Sequence, residues 1–581
     1  MRKQNIIDNL SVCILIDVKR LFVNRDYAIA KALELINKAP HYNLPSGIAI
    51  VVDDSNSLLG VITDGDIRRA LLHGSNLDDK INSIMNTNPI TLNNNLSSQE
   101  KSVMLNKKLK ELYKNKAHKT NIKNILILDD KNQVIDIIDH SDVINKNNLK
   151  SISVIGLGYV GLTLAVSLAD VGFKVIGIDS DEEIIKKLND GLPHIHEVGL
   201  DSLLKFHLGK NLIIQSNSAS VSADIHILCV QTPIDDNNEP ITQYLEKATE
   251  YIAKNMSKND LVIVRSTVPI GTTRNIIMPI LKNISGLSPG QDFNLACAPE
   301  RTVAGQALKE IRELPQIVAG LDSFSSDLAT SIFKKLTHTI VNVEHLEEAE
   351  LIKLIDNTFR DLTFAYSNQI AQIADKYNLD TSKIIQAANE GYSRNRIPKP
   401  SPGVGGVCLK KDPYLLISSS KKKGYIPKLT ETARYINENM SSYIISKIER
   451  FSKISGKDLS QMKIFVIGFA FKGHPETSDT RQSSTLDVTN NISHLTKNIF
   501  GYDPVLNQND LLQFNVIPVN LETGFKDADC ILIMNNHVSY SNFDIYNLLS
   551  KTNKPSLFFD GWGIFGKKMI QKIDHISYET I

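Results

Sequence analysis

A glycine-rich segment between a β-branched strand and an apolar helix constrains the fold of this chain most. Residues 153–161 read Ser-Val-Ile-Gly-Leu-Gly-Tyr-Val-Gly, and the residues that follow predict a helix from Leu162 to Val171. The glycines, Gly156, Gly158 and Gly161, allow a tight turn and the close approach of a pyrophosphate, whose negative charge the helix N-terminus favours. The context predicts a dinucleotide-binding βαβ unit; the alternative is a plain tight turn in an α/β protein.

An acidic residue lies where such a unit would hold a ribose. Asp179 ends the next predicted strand, 23 residues after Gly156. A carboxylate at this position can accept hydrogen bonds from both ribose hydroxyls and would repel a 2′-phosphate. The sequence therefore predicts NAD rather than NADP as the cofactor.

Polar residues follow three further predicted strands. Thr232, Thr267 and Glu300 each come directly or shortly after a short apolar run of the β-strand type. In open α/β sheets ligands bind at the carboxyl ends of the strands. We therefore expect these side chains to line the crevice that holds the nicotinamide.

A cysteine and a carboxylate four residues apart follow a second glycine-rich turn. Gly405 and Gly406 come just before Cys408, and Asp412 lies four residues later. If the segment opens a helix, Cys408 and Asp412 share a face, and the helix N-terminus favours the nucleophilic thiolate. The alternative is a buried structural cysteine. Together with a cofactor that takes up hydride, a thiol that can hold an acyl group indicates oxidation of an alcohol to an acid.

Lys353 and Asn357 lie four residues apart in a segment with helical spacing of apolar residues. They are therefore predicted to share one face of a helix. A lysine in this position can be a surface residue whose stem covers apolar neighbours. A buried Lys–Asn pair could instead stabilise a developing alkoxide or oxyanion.

Length and composition indicate a multidomain protein without nucleic-acid or membrane partners. The 581 residues are too many for a single hydrophobic core, so several domains are expected. The formal net charge of only +1 gives no indication of binding to nucleic acid or to an anionic membrane. The polar N-terminus predicts no secretory signal, and no apolar run is long enough to cross a membrane. The five cysteines lie far apart, with none at metal-ligand spacing. We expect a reduced, cytoplasmic protein without a metal site.

The order of predicted elements changes twice along the chain. Strands and helices alternate from Ser151, helices dominate after Asn342, and alternation returns from Met462. This order predicts two α/β domains with a helical region between them. The polar, Asn-rich residues 142–149 are predicted to be a linker.

The N-terminal residues contain an internal repeat. Ile48–Asn56 matches Asn124–Asn132 position by position, and each copy predicts strand, Asp turn, strand and then a helix near Asp66 or Asp142. The repeat resembles a tandem pair of CBS domains, which usually bind adenine nucleotides. The resemblance implies that Thr63 and Asp66 hold a ribose and phosphate, either in a regulatory sensor or in a structural assembly module. Gly60 and Thr63 become aspartates in the second copy, where an added carboxylate should repel a phosphate.

The region from Ile152 to Ile581 resembles the UDP-glucose/GDP-mannose dehydrogenase family, and in particular its UDP-N-acetylhexosamine 6-dehydrogenases. Besides the two glycine-rich segments, the shared motifs include Ser266–Pro269, Pro299–Arg301, Gly468–Gly473, Asp479–Ser484 and Tyr502–Pro504. The CBS resemblance assigns residues 1–147 to a tandem CBS pair. The family fold implies an NAD-binding Rossmann domain at 151–342, a helical dimerisation domain at 343–455 and a UDP-sugar-binding Rossmann-like domain at 460–581. A homodimer or larger homo-oligomer is expected.

The resemblance also implies a reaction and the residues that carry it. The expected reaction is a four-electron oxidation of the sugar C6 hydroxyl to a uronic acid by two NAD, through a thioester on the cysteine. The implied catalytic residues are Cys408, Lys353, Asn357, Asp412, Glu300 and Thr267. The implied NAD contacts are Gly156, Gly158, Tyr159, Val160, Gly161, Asp179, Thr232 and Thr267. The implied UDP-sugar contacts are Lys353, Gly405, Gly406, Lys472 and Arg481.

Departures from the family pattern leave two alternatives open. Val407 stands where the N-acetylhexosamine enzymes usually have His, and Ala304 replaces a carboxylate of the glucose enzymes. The first alternative is therefore a UDP-glucose 6-dehydrogenase. The second, of another class, is a catalytically silent sensor of nucleotide-sugars. The expected product would supply a surface polysaccharide.

Overall fold

A computed structural model describes residues 18–42, 44–96, 124–139 and 151–581, together with Met104 and Lys108. The chain divides into two compact units, Met1–Lys150 and Ser151–Ile581. The predicted linker at 142–149 and the helix predicted near Asp142 lie outside the described residues.

The first unit contains two small sheets of the same topology. The first consists of β1 (Phe22–Asn24), β2 (Ile48–Val52) and β3 (Leu58–Thr63), with helices α1 (Ile29–Lys38) and α2 (Asp64–Leu72). The second consists of β4 (Thr91–Asn93), β5 (Asn124–Leu128) and β6 (Val134–Asp139). In each sheet the central strand pairs in parallel with the strand before it and antiparallel with the strand after it.

The strand register confirms the internal repeat. Ile48 pairs with Thr63 in the first sheet and Asn124 with Asp139 in the second, so the two registers correspond residue for residue. Both hairpins carry a register shift at the equivalent position. The tandem organisation predicted from the sequence therefore extends to the backbone geometry.

The second unit begins with an eight-stranded sheet in the order β14-β13-β12-β11-β10-β7-β8-β9. Its strands are β7 (Ser151–Ile155), β8 (Lys174–Asp179), β9 (Leu212–Ser216), β10 (Ile225–Leu228), β11 (Leu261–Val264), β12 (Asn294–Cys297), β13 (Gln316–Gly320) and β14 (Ile340–Val343). Its helices are α3 (Tyr159–Asp170), α4 (Glu182–Asn189), α5 (Leu200–His207), α6 (Gln243–Asn255), α7 (Met278–Ser285), α8 (Ala307–Glu313) and α9 (Ser323–Phe333). The predicted parallel sheet is confirmed except at β12 and β13, which pair antiparallel.

The predicted start of the first helix in this sheet was wrong by three residues. Helix α3 begins at Tyr159 rather than Leu162, with Gly158 as its N-cap. Gly161 thus lies inside the first turn, and a Cβ on it would come within 1.7 Å of the Gly156 carbonyl oxygen. Only glycine fits there, so the helix can start close to the end of β7.

The central region consists of five helices: α10 (Leu346–Lys376), α11 (Thr381–Asn389), α12 (Val407–Lys421), α13 (Lys428–Glu438) and α14 (Met440–Ser455). Helix α10 connects the two halves of the unit. Its residues Leu346 and Ala349 belong to the core of the eight-stranded sheet, whereas Ala371 belongs to the core of the C-terminal sheet. A side chain on the middle of α10 is therefore held between two α/β domains.

The C-terminal sheet is entirely parallel, with the order β17-β16-β15-β18-β19-β20. Its strands are β15 (Ile464–Ile467), β16 (Ile499–Tyr502), β17 (Ile517–Pro518), β18 (Cys530–Ile533), β19 (Ser556–Asp560) and β20 (Ile576–Thr580). Its helices are α15 (Ser484–Ser493), α16 (Gln508–Leu512), α17 (Leu521–Phe525), α18 (Ile545–Ser550) and α19 (Lys567–Ile570). The second α/β domain predicted from the sequence is confirmed.

A buried arginine ties α12 to its neighbours. Pro413 lies inside α12 and has no backbone N–H, so the Leu409 carbonyl lacks its usual helical donor. The Arg434 guanidinium of α13 donates to this carbonyl at 3.3 Å and to the Asp361 carboxylate of α10 at 2.7 Å. Both side chains of this ion pair are buried. The Arg434 guanidinium thus supplies the hydrogen-bond donor that Pro413 lacks, and it connects helices α10, α12 and α13.

Replacing Arg434 with Met should strongly destabilise the protein. The variant leaves the buried Asp361 carboxylate without its cation, and breaking such a pair costs about 3–5 kcal/mol. Thermal unfolding followed by circular dichroism measures the loss. The matched control is Arg312→Met, which breaks a pair with Asp170 whose arginine is 43% exposed. The control should cost no more than about 1 kcal/mol, and equal losses in both variants would contradict the assignment.

Candidate active site

The first glycine-rich loop has the geometry of a dinucleotide cradle. Gly156 has a φ of 91°, and a Cβ on it would lie 3.0 Å from the Cys229 backbone. A Cβ on the exposed Gly158 would meet nothing within 4 Å, so the backbone there is open to an approaching group. The amides at the N-terminus of α3 can hold a pyrophosphate at this point. The residues present therefore fit the predicted cofactor.

Asp179 lies at the end of β8 beside this loop. One carboxylate oxygen accepts the Leu157 N–H at 2.6 Å, and the other accepts the N–H groups of Ser180 and Asp181. The side chain is half-buried. These hydrogen bonds from the backbone hold the carboxylate at the edge of the loop, where it is predicted to accept hydrogen bonds from the ribose of NAD.

The predicted threonines differ in their surroundings. The hydroxyl of Thr232, after β10, is buried and has no hydrogen-bond partner within the protein. Buried polar groups are nearly always paired, so an orphaned hydroxyl is consistent with a ligand contact. Thr267, after β11, is half-buried.

Glu300 is held as a buried carboxylate. It forms an ion pair with Arg265, and its other oxygen accepts the N–H groups of Arg301 and Thr302 at 2.7 and 2.8 Å. Burial alone would raise the pKa of this carboxyl, but Arg265, the backbone donors and the charge of Lys353 together hold its pKa below the ordinary value. Glu300 is therefore anionic at neutral pH and lies within electrostatic reach of Lys353.

Three of the predicted catalytic residues meet where α10 and α12 cross. The Asn357 amide donates to the Asp412 carboxylate at 2.6 Å, and the other oxygen of that carboxylate accepts from Lys411 at 2.6 Å. Asp412 is fully buried, and Lys353 lies one turn before Asn357 with only 7% of its surface exposed. The interpretation of Lys353 as a surface lysine is therefore wrong.

Cys408 lies in the first turn of α12, as the sequence predicted for a helix-opening cysteine. Its side chain is exposed, whereas Cys229, Cys297 and Cys530 are buried. The alternative of a buried structural cysteine is therefore wrong for Cys408. Within the described residues, this is the cysteine that an incoming substrate can reach.

The second glycine-rich loop packs against the C-terminal domain. The Gly406 N–H donates to the Gln482 carbonyl at 3.1 Å. Gly406 has a φ of 88°, and a Cβ on it would lie 2.9 Å from ring carbons of Phe471. Glycine is required here because the conformation is left-handed and the loop lies directly on an aromatic ring.

The two predicted UDP-sugar contacts of the C-terminal domain lie on the same segment. Arg481 is exposed and makes a two-point ion pair with Asp479, and it lies close enough to Cys408 for the cysteine's charge to help raise the pKa of the guanidinium. Lys472 is half-buried and donates to the Ala304 carbonyl at 2.5 Å. The structure thus brings Cys408 and Arg481 near each other and places Lys472 against the NAD-binding domain.

Sequence reasoning missed the buried Glu350, one turn before Lys353. Its carboxylate accepts the Gly271 N–H at 2.5 Å, the Thr273 N–H at 2.8 Å and the Thr273 hydroxyl at 2.6 Å. It ties α10 to the loop that follows β11. Burial raises the pKa of Glu350 to about 7 because its partners are neutral donors rather than cations. The sequence signal that could have identified Glu350 is a carboxylate within the apolar stripe of the predicted helix.

The stability of the protein should depend on pH through Glu350. Its folded-state pKa of about 7 lies above the ordinary 4.5, so the folded state binds the proton more tightly. The free energy of unfolding should therefore fall by about 3 kcal/mol as pH rises across this range. Replacing Glu350 with Gln removes the titration, and melting temperatures at pH 5.5 and 8 measure the difference from the unmodified protein.

Glu347 provides the matched control for this measurement. The Arg274 hydrogen bond lowers the pKa of Glu347, so its carboxyl is ionised at both pH values. Glu347→Gln should keep most of the pH dependence of the unmodified protein, because the charge of Glu347 contributes least to the raised pKa of Glu350. A Glu350→Gln variant whose melting temperature changed with pH as much as the unmodified protein's would refute the role of Glu350.

In the first unit, Thr63 and Asp66 form a reciprocal capping box at the start of α2. The Thr63 N–H and hydroxyl donate to Asp66 at 2.9 and 2.7 Å, and Asp66 also pairs with Arg69 at 2.5 Å. The predicted nucleotide residues thus lie together, half-buried, at a helix N-terminus. The predicted second site falls partly outside the described residues.

Family comparisons match most of the chain. The NAD-binding, central and UDP-binding domain models of the UDP-glucose/GDP-mannose dehydrogenase family match residues 150–337, 347–439 and 465–567. The chain belongs to this family. A CBS domain model matches residues 16–73. The predicted family and N-terminal CBS fold are therefore confirmed, while the domain limits and the second CBS copy stay predictions.

Similar proteins cover the same region. A UDP-N-acetyl-D-mannosamine dehydrogenase from Pyrococcus horikoshii is 34% identical over 417 residues, which are 71% of this chain and 95% of that protein. A Campylobacter jejuni protein of the same name is 32% identical over 405 residues, 68% of this chain and 97% of that one. The solved structure of the Pyrococcus horikoshii UDP-D-ManNAc dehydrogenase has a TM-score of 0.68 at 32% identity and covers 74% of this chain and 99% of that one.

Family membership establishes the class of enzyme and its cofactor. The chain is an NAD-dependent nucleotide-sugar dehydrogenase, and the open Gly158 backbone and the unpartnered Thr232 hydroxyl agree with an NAD site. None of the helices in the described ranges is both long and apolar enough to span a bilayer.

Proposed function

We propose that this enzyme oxidises the C6 hydroxyl of UDP-N-acetyl-D-mannosamine to the uronic acid through a thioester on Cys408. The observation that supports it best is an exposed Cys408 one turn before a buried Asp412, which is bonded to Asn357. Two relatives that are 32–34% identical to this chain are named for this substrate, and the matches cover nearly the full length of each relative. The uronic acid would be made in the cytoplasm as a precursor for a surface polysaccharide.

The first oxidation needs a place for the negative charge that develops on the C6 oxygen. Lys353 and Asn357 are both buried, one turn apart on α10, so both side chains can stabilise an alkoxide there. Glu300 is anionic, and together with Thr267 it would order the water or base that takes the hydroxyl proton. NAD, when bound, accepts the hydride in each of the two oxidations, so one sugar yields two NADH.

The second oxidation and the hydrolysis centre on Cys408. The thiolate adds to the C6 aldehyde and forms a C–S bond, and the resulting oxyanion lies against Lys353 and Asn357. Loss of hydride from this adduct leaves a thioester. Asp412, fixed by Asn357 and Lys411, then takes a proton from water as the water attacks, the C–S bond breaks and the thiol is released.

The stoichiometry of NADH distinguishes this mechanism from its alternatives. Absorbance at 340 nm should show two NADH for each UDP-N-acetyl-D-mannosamine consumed. Replacing Cys408 with Ser should reduce uronate formation by at least about 10³-fold, because the hydroxyl is a much poorer nucleophile, while calorimetry shows unchanged UDP and NADH binding. Undiminished uronate formation by the variant would overturn the thioester role.

The matched control is Cys530→Ser, which alters a cysteine buried in β18. This variant should keep two NADH per sugar if it folds. UDP-glucose, assayed in parallel, tests the first alternative, a UDP-glucose 6-dehydrogenase. Two NADH per UDP-glucose, with little signal from the N-acetyl sugar, would support the mechanism but contradict the proposed substrate. No signal from any UDP-sugar would favour a silent sensor of nucleotide-sugars.

We also propose that chains associate through the helical region. Large apolar side chains along α10 are solvent-exposed in the single chain, including Ile355, Phe359, Tyr366 and Ile373. Contiguous exposed apolar side chains typically mark protein–protein interfaces. A second copy of the same helix would cover them symmetrically.

We further propose that an adenine nucleotide binds the CBS domain at Thr63 and Asp66 and alters turnover. The support is the capping box, which places the Thr63 hydroxyl and the Asp66 carboxylate together at a helix N-terminus. Calorimetry on the full chain with ATP, ADP and AMP as separate probes tests it. Asp66→Asn should weaken binding at least about tenfold by removing an acceptor of ribose hydroxyl hydrogens.

Asp78→Asn, which alters an exposed aspartate in the same unit, is the control and should leave binding unchanged. If none of the three nucleotides binds the unmodified chain, and none changes its rate of NADH formation, the CBS pair is an assembly module instead.

A further inference from the structure

A buried glutamate outside the catalytic set contacts the dinucleotide loop. Glu197, two residues before Gly199 at the start of α5, is 4% exposed. It accepts a hydrogen bond from the phenol of Tyr159, the first residue of α3. Burial raises the pKa of the Glu197 carboxyl, although backbone donors and Lys472 oppose the shift. Glu197 therefore fixes the ring of a residue within the glycine-rich cofactor motif.

The same pair holds the loop that follows β12. The Gly305 N–H donates to the Tyr159 hydroxyl at 2.7 Å and to the Glu197 carboxylate at 2.8 Å. Glu197 also accepts backbone N–H groups of Ala307 and Leu308, so it caps helix α8. The Gly305 N–H is thus shared between two acceptors that are bonded to each other, and this pair sets its position.

On its other side Gly305 lies against the C-terminal domain. It has a φ of 89°, and a Cβ on it would lie 3.1 Å from the Glu476 carbonyl oxygen and 3.2 Å from the Pro475 side chain. The backbone is therefore in close contact with the segment that carries Lys472. A displacement of Gly305 would be transmitted directly to that segment, because protein interiors are close-packed and transmit strain.

Lys472 is positioned from the same point. Its ammonium donates to the carbonyl of Ala304, the residue next to Gly305, at 2.5 Å. An ammonium has three N–H donors, so this bond leaves two for a bound diphosphate and sets the direction in which they point. Ala304 contributes no side-chain charge here, and Glu197 is the carboxylate whose charge acts most on Lys472.

We propose that Glu197 is a positioning residue that couples the dinucleotide site to the UDP site. It holds Tyr159 on one side and Gly305 on the other, and through the Ala304 carbonyl it determines where Lys472 presents its charge. Occupation of the dinucleotide loop therefore strengthens binding of the nucleotide part of the sugar, and the coupling is reciprocal. The inference rests on the proposed role of Lys472 as a UDP-sugar contact, but not on the identity of the sugar or on the thioester.

Calorimetry with UDP and NADH tests the coupling without turnover, because UDP carries no oxidisable hydroxymethyl group. In the unmodified chain, saturating NADH should lower the Kd for UDP at least fivefold. In Glu197→Gln this ratio should fall below twofold, because the neutral amide holds Tyr159 and Gly305 less tightly. In Tyr159→Phe, which removes a single hydroxyl, the ratio should fall likewise.

The controls separate coupling from general damage. Tyr244→Phe and Glu183→Gln alter exposed residues of α6 and α4 and should keep the full ratio. A purely structural role for Glu197 would weaken UDP binding equally with and without NADH and leave the ratio unchanged, which would overturn the proposal. So would a ratio near one in the unmodified chain. Failure of the proposed substrate or of the thioester leaves this measurement unaffected.

Discussion

The hydrogen bond between Asn357 and Asp412, 2.6 Å long, is the contact on which the arrangement of the candidate catalytic residues depends. Both side chains are buried where α10 crosses α12. An unpaired carboxylate at this depth would be costly, so the bond fixes the register of one helix against the other. Lys353 lies one turn before the first partner and Cys408 one turn before the second. Their placement in space follows from this single crossing, which Arg434 supports on the same pair of helices.

The buried charges around this crossing divide into two kinds. Arg265, the backbone donors and Lys353 hold the pKa of Glu300 below its ordinary value, whereas burial raises the pKa of Asp361 although Arg434 faces it. Glu350 faces only backbone amides and a hydroxyl, so burial dominates and its pKa rises to about 7. The protein thus keeps Glu300 as an anion, while burial dominates at both Asp361 and Glu350.

Two glycines bring their loops into close contact with the C-terminal domain. Both have a positive φ, and a Cβ would lie 3.1 Å from the Glu476 carbonyl oxygen at Gly305 and 2.9 Å from ring carbons of Phe471 at Gly406. These contacts bring three segments together: the loop with Gly305 after β12, the glycine-rich turn before α12, and the segment with Phe471 and Lys472 after β15. Glycine at these points permits the close approach of the backbones, and the predicted UDP-sugar contact Lys472 thereby lies next to the loop that carries Gly305.

The sequence alone predicts the βαβ cofactor unit, the repeat at an offset of 76 residues and the order of the candidate catalytic side chains. These predictions rest on the local sequence patterns of strands, turns and helices and on the separation of motif residues along the chain, neither of which depends on tertiary packing. It did not determine the antiparallel β13, the burial of Lys353 or the exposure of Cys408, since those depend on contacts between distant segments. Glu197 could not be singled out because an isolated glutamate is usually solvated, whereas Glu350 left one signal, a carboxylate within the apolar stripe of a helix. The burial of both carboxylates and their hydrogen-bond partners depend on the tertiary structure, because distant segments exclude water from them and supply the donors.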